Sequence, residues 1–478
     1  MQRREFLKTG VLAGLSGLAL SSCRGGNNGM SGNQNPSLNT GTFTRPFAIP
    51  PELKGSMING RKTFDLTVQS GQQQFIGQGT TATKGYNGHF LGPTLRLNQH
   101  DLVDINVSNF LTEPTTTHWH GMRVPSNMDG SDHQEIAPNQ TWKASFTVNQ
   151  GAATNWYHPH AQHYTASQVY QGLAGFMIVD DVDSAALDLP KTYGVDDIPV
   201  VVQDRDMNAD GTFIYNPSQM QKMQGLTGNT LLVNGVIDST LDLPAKEVRL
   251  RLLNGSNARV YNFAFSNGIS FKQVAVDQSF LIAPVTLSSI TLSPGERTEI
   301  VVDLSSFTGS SLNLRDLSSG VSLFQLNVIA NTLANTITPN TLITLPQLSS
   351  NQAVRTRPFV LSMSGGSFYI NGASMNMNVI NEALTFNDIE IWDIQNTSNM
   401  THNFHVHGAY FTIISRNGGM PSAYEGGYKD TVYLPANARV KVLIQFKDYT
   451  ASAANPFMFH CHILEHEDAG MMGQLTVA

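Results

Sequence analysis

Apolar and polar residues alternate along short stretches of the chain, and no long stretch follows the 3.6-residue period of an amphipathic helix. Alternation with a period of two is typical of β-strands that bury one face. One such strand occurs three times, at 103–109, 248–252 and 389–391. The pattern therefore predicts an all-β protein with an internal repeat.

A second alternating strand marks the same repeat, because each copy follows a turn proline. These prolines are Pro138, Pro294 and Pro435, at intervals of 156 and 141 residues. Each interval is a typical domain size, and short alternating strands separated by turns are typical of β-sandwiches. We predict three tandem β-sandwich domains with the boundaries 43–185, 186–345 and 346–478.

The N-terminal stretch is predicted to be a targeting segment rather than part of the fold. Arg3 and Arg4 precede an apolar run that is too short to span a membrane, and this arrangement resembles a twin-arginine export signal. The sequence LSSC, which ends at Cys23, resembles a lipobox; the alternative is cleavage nearby without a lipid. We predict an export signal at 1–23, a flexible tether at 24–42, and a periplasmic protein attached to the membrane through a lipid on Cys23.

Composition and charge narrow the range of partners. The formal net charge is -7, charged residues make up only 14%, and the folded part has no run of lysine or arginine, so nucleic acid is not an expected partner. With two cysteines, of which Cys23 lies in the targeting segment, no disulfide framework is expected.

The sequence HCHILEHEDAGMM, at 460–472, contains candidate ligands for two metal centres. In an extended strand Cys461 would face one way, while His460 and His462 would face the other. A thiolate, imidazoles and a weak thioether are the ligands of a blue-copper electron-transfer site. The alternatives are a buried structural cysteine or a zinc site, although the paired CxxC or HxxxH spacing of zinc sites is absent.

Most histidines lie in a few short motifs. Ten of the 14 fall in HWH, HPH, HNFHVH and HCHILEH, and none lies between Tyr164 and Thr401. The middle domain is thus predicted to be a spacer without a metal site. Strand parity puts His402 on the face of Cys461, so one candidate centre consists of His402, Cys461, His466 and Met471. The other candidate centre has eight imidazoles, too many for one ion, and consists of His118, His120, His158, His160, His405, His407, His460 and His462.

The four motifs, in this order, resemble the copper signatures of multicopper oxidases. The chain is most similar to the bacterial periplasmic copper-efflux oxidase, a laccase-like enzyme, and the resemblance covers nearly everything after the targeting segment and tether. Further similar stretches are HWHGMRVPSNMDG, GLAGFMIVDD, VDDIPVVVQD and RLRLLNGSNAR. The resemblance implies three tandem cupredoxin-like Greek-key β-sandwich domains.

The resemblance also implies four copper ions: one type 1, one type 2 and a binuclear type 3 pair. Type 1 copper would be held by His402, Cys461, His466 and Met471, with Met472 as an alternative axial ligand. Type 2 copper would be held by His118 and His405. The type 3 pair would take His120, His158 and His407 together with His160, His460 and His462.

The implied reaction couples one-electron oxidation of a reducing substrate at the type 1 copper to four-electron reduction of O2 to water at the trinuclear cluster. Asp129 matches a family acid near the cluster, and Glu467 follows a type 1 ligand, so we hypothesise that both assist proton delivery. The alternative for Asp129 is ordinary turn chemistry with Gly130. Glu467 could equally be a solvated loop carboxylate.

The reducing substrate is predicted to be Cu(I), in copper tolerance, or a phenolic compound. The copper-efflux relatives carry a methionine-rich insertion that is absent from this chain, although Met400 matches a substrate-site methionine and Asp468 an acid beside the type 1 site. Ser398 stands where those relatives have aspartate. The other methionines of the third domain offer soft ligands but also fit core packing; they are Met363, Met375, Met377 and Met420.

Two alternatives to a cuprous oxidase follow from the same fold. One is a laccase-type oxidase of phenols or aromatic amines, favoured if the missing insertion leaves the type 1 edge open. The other is a non-enzymatic cell-envelope protein, which the complete ligand set disfavours. A cupredoxin nitrite reductase would not need eight cluster histidines.

A monomer is expected, because one chain supplies all the ligands.

Overall fold

A computed structural model describes residues 36–346 and 348–478. The predicted export signal, Cys23 and the tether up to residue 35 lie outside the described residues. Among the described residues, no helix is both long enough and apolar enough to cross a membrane. Helices are short in this part of the chain; the α-helices are α1 (Thr165–Gln171), α2 (Val182–Ala186), α3 (Gln219–Gln224) and α4 (Leu464–Asp468), and the 3-10 helices are Ser126–Met128, Asp132–Gln134, Ser350–Gln352 and Ala423–Glu425.

The first sandwich consists of two sheets around one core. The strands up to its end are β1 (Arg45–Pro46), β2 (Glu52–Leu53), β3 (Ser56–Ile58), β4 (Arg61–Gln73), β5 (Thr81–Tyr86), β6 (Thr94–Asn98), β7 (Leu102–Asn109), β8 (Thr141–Thr147), β9 (Ala153–Tyr157) and β10 (Gly175–Asp180). One sheet has the order β2-β6-β10-β9, and the other has β3-β4-β7-β8 with β5 beside β4. The alternate residues that face inward, such as Phe64, Ile105 and Val107, form the core between them.

The second sandwich has larger sheets. Its strands are β11 (Asp197–Met207), β12 (Phe213–Ile214), β13 (Thr230–Val233), β14 (Ser239–Pro244), β15 (Glu247–Asn254), β16 (Tyr261–Phe265), β17 (Phe271–Val276), β18 (Ser279–Leu287), β19 (Ser289–Leu292), β20 (Arg297–Asp303), β21 (Ser311–Asp316) and β22 (Ser322–Ile329). The sheets have the orders β1-β14-β22-β21-β16-β19 and β12-β11-β15-β20-β17-β18, with β13 beside β11.

The third sandwich carries most of the candidate ligands. Its strands are β23 (Arg355–Ser364), β24 (Ser367–Ile370), β25 (Glu382–Leu384), β26 (Ile389–Asn396), β27 (His402–Val406), β28 (Phe411–Arg416), β29 (Thr431–Leu434), β30 (Arg439–Gln445), β31 (Phe457–His460) and β32 (Met472–Val477). The sheets have the orders β24-β23-β26-β30-β28 and β25-β32-β31-β27-β29. Cys461 therefore follows an inner strand, and β27 lies beside that strand.

The two repeated strands predicted from the sequence are confirmed and pair with each other in every sandwich. The antiparallel pairs are β7 with β8, β15 with β20, and β26 with β30. A buried asparagine ends the first strand of each pair, and its side-chain N–H group donates to a carbonyl just before the turn proline. These contacts are Asn109 to Ile136, Asn254 to Leu292 and Asn396 to Leu434. The loops that carry the first and third histidine motifs therefore each begin at an asparagine whose side chain is hydrogen-bonded to a neighbouring turn.

The segment before the first sandwich is bound to the second sandwich. The Thr40 and Gly41 N–H groups donate to Asp238 Oδ2 at 2.6 and 3.0 Å. Strand β1 pairs with β14, and Phe47 lies in the second core. This differs from the predicted flexible tether over 36–42 and from the assignment of 43–47 to the first domain. The reason is a specific carboxylate acceptor and a strand pairing, which composition does not reveal.

A buried ion-pair cluster lies at the start of β11, between the first and second sandwiches. The Asp197 carboxylate accepts two hydrogen bonds each from Arg249 and Arg251, at 2.7–3.0 Å. Burial raises the pKa of Asp197, but the two guanidinium groups outweigh burial and hold the pKa well below its ordinary value.

An Asp197→Asn variant should therefore lower the free energy of unfolding by about 3–5 kcal/mol at neutral pH, because two buried guanidinium groups are then left with the single carboxylate of Glu299. A depressed folded-state pKa gives stability that is present above the unfolded pKa, near 4, and is lost as pH falls. Urea unfolding from pH 7 to pH 3 should show the wild-type advantage shrinking in acid. An equal difference at both pH values would contradict this account.

Candidate metal centres

The first candidate centre is formed by one thiol and two imidazoles. His402 begins β27, Cys461 follows β31, and the short helix α4 turns His466 back toward both. The Cys461 Sγ atom lies 3.6 Å from Nδ1 of each histidine, and the two Nδ1 atoms are 3.1 Å apart. All three side chains are inaccessible to solvent. Three donor atoms thus converge on one point.

The outer nitrogens of these histidines fix which atoms face inward. His402 Nε2 lies 3.1 Å from the Ser398 hydroxyl oxygen, and His466 Nε2 lies 3.1 Å from the Met223 carbonyl oxygen. Because each Nε2–H has an acceptor, the Nδ1 lone pairs are left to face the thiol. Burial lowers the pKa of His402 to about 4 and raises the pKa of Cys461 to about 12. The imidazoles are therefore neutral, and a bound cation would deprotonate the thiol. Two neutral imidazoles and a thiolate are donors that fit copper.

The sheet register separates the two methionines proposed as axial ligand. Met472 lies directly opposite His460 in the β31–β32 pair, so its side chain shares the face of His460. Met471 precedes it by one residue, and its carbonyl accepts from the Cys461 N–H at 3.0 Å. Alternation therefore favours Met471 for the face of Cys461, and both methionines are buried.

The second candidate centre gathers the other eight histidines at the contact of the first and third sandwiches. The backbone pairs His118 with His158 and His405 with His460, so the four motifs meet in pairs. Ligand atoms within 4.8 Å of one another form three groups of histidines alone: His118, His120 and His405; His120, His158 and His462; and His160, His407 and His460. His118 and His407 form a fourth group with Asp129.

His118 and His405 both turn their Nε2 atom toward the inside of the centre. Nδ1 of His118 lies 3.0 Å from the Asp129 carbonyl oxygen, and Nδ1 of His405 lies 2.9 Å from the Asp430 carbonyl oxygen. The Nε2 atoms of both are buried without a hydrogen-bond partner. Buried polar atoms rarely remain unpaired in folded proteins, so this pair points to a ligand that accepts both lone pairs.

His120, His158 and His462 form the first triad. His158 Nδ1 lies 2.7 Å from the Pro159 carbonyl oxygen, which leaves its Nε2 atom 3.4 Å from His120 Nδ1. Neither ring nitrogen of His462 has a hydrogen-bond partner. The triad can supply three imidazole nitrogens to one ion.

His160, His407 and His460 form the second triad. The Nε2 atom of His460 lies 3.1 Å from His160 Nε2 and 3.2 Å from His407 Nε2. On the outer side, His407 Nδ1 donates to Asp129 Oδ2 at 2.6 Å, and His460 Nδ1 donates to the Cys461 carbonyl at 3.1 Å. Each adjacent HxH pair thus serves two different groups.

Burial keeps most of these imidazoles neutral, which is the form that binds a metal. It lowers the pKa of His160 to about 4. Burial, helped by the neighbouring imidazoles, also holds other histidines of the centre well below their ordinary pKa; these are His118, His120, His158, His407, His460 and His462. Neutral nitrogen donors that converge in a space without solvent fit a cluster of copper ions.

Comparison with known proteins identifies the family. Sequence profiles described as multicopper oxidase match residues 67–184, 200–310 and 338–478. The multicopper oxidase mco of Staphylococcus haemolyticus is 38% identical over 88% of this chain and 89% of its own length. The chain belongs to the multicopper oxidases. The resemblance inferred from the sequence is confirmed.

Solved structures of other multicopper oxidases show the same fold. A laccase-like CueO from Ochrobactrum sp. is 37% identical, with a TM-score of 0.85 over 91% of this chain and 100% of its own. A multicopper oxidase from Pediococcus acidilactici is 32% identical, with a TM-score of 0.87 over 94% of each chain. The three tandem cupredoxin-like sandwiches are therefore confirmed. A cell division protein FtsP from Xenorhabdus nematophila is also 36% identical, over 90% of this chain and 91% of its own, so membership alone does not assign an activity.

The two carboxylates predicted to assist proton delivery, Asp129 and Glu467, are both buried beside the centre of eight histidines. Asp129 contacts His407, and Glu467 Oε2 lies 3.2 Å from His460 Nδ1, with Oε1 3.7 Å from His160 Nε2. Glu467 lies in α4 and is 1% exposed, so it is not a solvated loop carboxylate. Burial raises the pKa of both groups, well above its ordinary value for Asp129.

Sequence reasoning missed two further acids at the centre. Asp430 Oδ1 accepts from His120 Nε2 at 3.1 Å. Asp132 Oδ2 is buried without a hydrogen-bond partner, 3.9 Å from His160 Nδ1, and burial raises the pKa of Asp132 to about 7. Neither acid lies in a histidine motif, and no sequence signal marks Asp430 beyond its position next to β29.

The side of the thiol centre at His466 is covered by other side chains and by α3. Helix α3 lies over it, with the Met223 carbonyl on His466, and the Phe368 ring stacks on the His466 ring at 4.3 Å. Beside α3 is a cavity of about 430 Å³ whose lining includes Phe368, Tyr215 and Asp468. Asp468 itself accepts from the Thr165 and Ala166 N–H groups at the start of α1.

Proposed function

We propose that this multicopper oxidase couples one-electron oxidation of Cu(I) to reduction of O2 to water, with four bound copper ions, in copper tolerance. The observation that carries the proposal is the set of ring nitrogens turned inward at two buried centres. His402, Cys461, His466 and Met471 would hold type 1 copper, and His118 and His405 would hold type 2 copper. The two triads would hold the type 3 pair.

Bound copper would supply one-electron transfer at the thiol centre and oxygen reduction at the cluster. The chain itself joins these places, because Cys461 lies between His460 and His462, one in each triad. An electron that enters at the thiol thus has a path of few covalent bonds to either triad. The ligand rings are held from outside by carbonyl and carboxylate acceptors, so their geometry does not depend on solvent.

Asp129 and Glu467 would hold and pass the protons that oxygen reduction consumes. Each has a carboxylate oxygen without a hydrogen-bond partner, buried beside the imidazoles of the cluster. A carboxyl group that burial favours in its protonated form can donate at such a place and regain a proton afterwards. Both lie against the triad of His160, His407 and His460, which supports this role.

The cover over His466 supports Cu(I) rather than a bulky organic substrate. The ring edge that an organic reductant would approach is bonded to the Met223 carbonyl, and His466 is inaccessible to solvent. Met220 and Met223 on α3, with Met400 two residues before His402, offer thioether ligands that suit Cu(I).

A laccase-type oxidase of phenols or aromatic amines is the second candidate. The cavity of about 430 Å³ beside α3 is large enough for one aromatic ring and reaches Phe368, which contacts His466. A non-enzymatic role, which the relatives named FtsP suggest, is not favoured because every predicted ligand is buried at one of the two centres.

The cellular setting belongs to the same proposal. We infer export by the twin-arginine route to the periplasm, with membrane attachment through a lipid on Cys23, from the sequence of the targeting segment. A monomer is supported by a single chain that supplies all the predicted ligands. O2 and the reductant are then the partners that the enzyme needs.

Oxygen uptake distinguishes the two reductants. Above the uptake that each reductant shows without protein, copper-loaded protein should consume O2 with chelated Cu(I) much faster than with a methoxyphenol at the same concentration. A copper-loaded Cys461→Ser variant should add nothing to that background with either reductant. A Met400→Leu variant should raise KM for Cu(I), whereas Met420→Leu, at a side chain that is 87% exposed, serves as the matched control. Faster uptake with the phenol would assign the laccase activity, and no uptake from fully loaded protein would refute the oxidase.

A further inference from the structure

One arginine of the middle sandwich contacts all three sandwiches. Arg297 begins β20, and its side chain is inaccessible to solvent. Its Nε donates to the Thr154 carbonyl of the first sandwich at 2.9 Å. Its Nη1 and Nη2 atoms each donate to one oxygen of Asp430, in the third sandwich, at 2.7 Å. Remaining N–H groups reach the Gly295 and Asp277 carbonyls at 3.1 Å.

Asp430 links this arginine to the oxygen-reducing centre. Its Oδ1 atom accepts from His120 Nε2 at 3.1 Å, and from the Thr431 hydroxyl at 2.8 Å. Its Oδ2 atom accepts from Gln278 Nε2 at 2.5 Å. The carboxylate is thus held by charged and neutral donors from the middle sandwich while it contacts a histidine of the first.

His120 differs from the other cluster histidines in the ring nitrogen that is hydrogen-bonded on the side facing away from the centre. Those histidines are bonded on the outside through Nδ1: His118, His158, His405, His407 and His460. His120 is bonded outside through Nε2, so Nδ1 is its inner atom, 3.4 Å from His158 Nε2. The Thr431 hydroxyl oxygen also lies 3.3 Å from His120 Nε2, and this hydroxyl donates to Asp430 Oδ1. The orientation of this one ring therefore depends on Asp430 and on a hydroxyl that Asp430 holds in place.

We propose that Arg297 is a positioning residue of the cluster, which fixes Asp430 as an acceptor and so presents His120 Nδ1 to the copper shared with His158 and His462. The inference rests on the proposed function, because it concerns how that copper is held. The middle sandwich is then more than the spacer that the sequence suggested. It controls one copper site without supplying a ligand.

The chemistry of the pair explains why an arginine and an aspartate are needed. An ionised carboxylate can only accept, so His120 must place its proton on Nε2 and its lone pair on Nδ1. A carboxamide could turn its N–H group toward His120 and favour the opposite tautomer. The planar guanidinium donates to both carboxylate oxygens, which prevents rotation of the Asp430 carboxylate. A lysine ammonium group would act as a single point charge and would not fix this orientation.

The test compares copper binding at separate sites in the full-length protein. Arg297→Met and Asp430→Asn should weaken copper binding by about 10- to 100-fold at the site of His120, His158 and His462. Copper content after dialysis against a chelator should fall by one ion per chain, with loss of the absorption and magnetic coupling of the type 3 pair. The blue absorption of the type 1 copper should remain, and Arg297→Lys should give an intermediate loss.

A matched variant separates positioning from folding. Arg251 is also a buried arginine of the middle sandwich, paired with Asp197 and Glu299, and it also contacts Thr154. Arg251→Met should lower the melting temperature of the copper-free protein as Arg297→Met does, but should keep the full copper content.

The inference is overturned if Arg297→Met keeps every copper ion and the type 3 signals while its melting temperature falls. Arg297 would then be a structural ion pair only. Wild-type protein that takes up no copper would refute the proposed function and the inference together. Wild-type protein that binds copper but oxidises neither reductant would refute the function alone, because copper retention in the variants still tests Arg297.

Discussion

Replacement of Cys461 by serine is expected to abolish oxidation of every reductant, to the level of copper-free protein, while the cluster of eight histidines keeps its metal. The thiol of Cys461 lies against both His402 and His466, and its residue is bonded along the chain to both His460 and His462. A serine hydroxyl is a poor ligand for copper at neutral pH, so the first centre loses its strongest donor.

The fold should survive this change, because the new hydroxyl has a partner. Asn403 Oδ1 lies 3.6 Å from Cys461 Sγ and also accepts from the His462 N–H at 2.6 Å. Copper analysis should show one ion fewer per chain and no blue absorption, with the type 3 signals retained. Steady-state oxygen uptake above the copper-free level would contradict the assignment of Cys461 as the entry point of electrons.

Replacement of Asp129 by asparagine and of Glu467 by glutamine should each slow oxygen reduction by about 100-fold or more, because a general acid typically contributes that much. Both carboxyl groups are buried beside the cluster, and each has an oxygen without a hydrogen-bond partner in the protein. Anaerobic reduction of the type 1 copper should stay unchanged, since neither side chain has a hydrogen bond to His402, Cys461 or His466. Rates are compared per bound copper, because Asp129 also accepts from His407 Nδ1 at 2.6 Å. The measurement is rapid mixing of reduced protein with O2, which isolates reoxidation.

The control for these variants is Asp316→Asn. Asp316 is a fully buried carboxylate of the second sandwich. It accepts from the backbone N–H groups of Asn262, Ser318 and Ser319, none of which is a candidate ligand. It should change stability but not reoxidation. Unchanged turnover of the Asp129 and Glu467 variants at alkaline pH, where protons are scarce, would contradict the proton-delivery role.

Strand parity was enough to separate the two centres. It put His402 with Cys461 and assigned His460 and His462 to the opposite face, as the structure shows. It could not divide the eight histidines further. Residues two apart on one face, such as His158 and His160, are about 6.6 Å apart along a strand, so they naturally reach neighbouring sites. Which partners complete each triad depends on how the first and third sandwiches pack.

The sequence by itself determined the repeat, the strands and the residues that converge, because period-two alternation and HxH spacing are local properties of the chain. Only the tertiary structure decided how the ligand rings are held. Met223 acts through a backbone carbonyl, which every residue has, and Asp430 acts because Arg297 lies behind it. Such contacts join residues more than a hundred positions apart, so no local pattern can indicate them. The middle sandwich has no histidine, yet its tertiary contacts hold both centres.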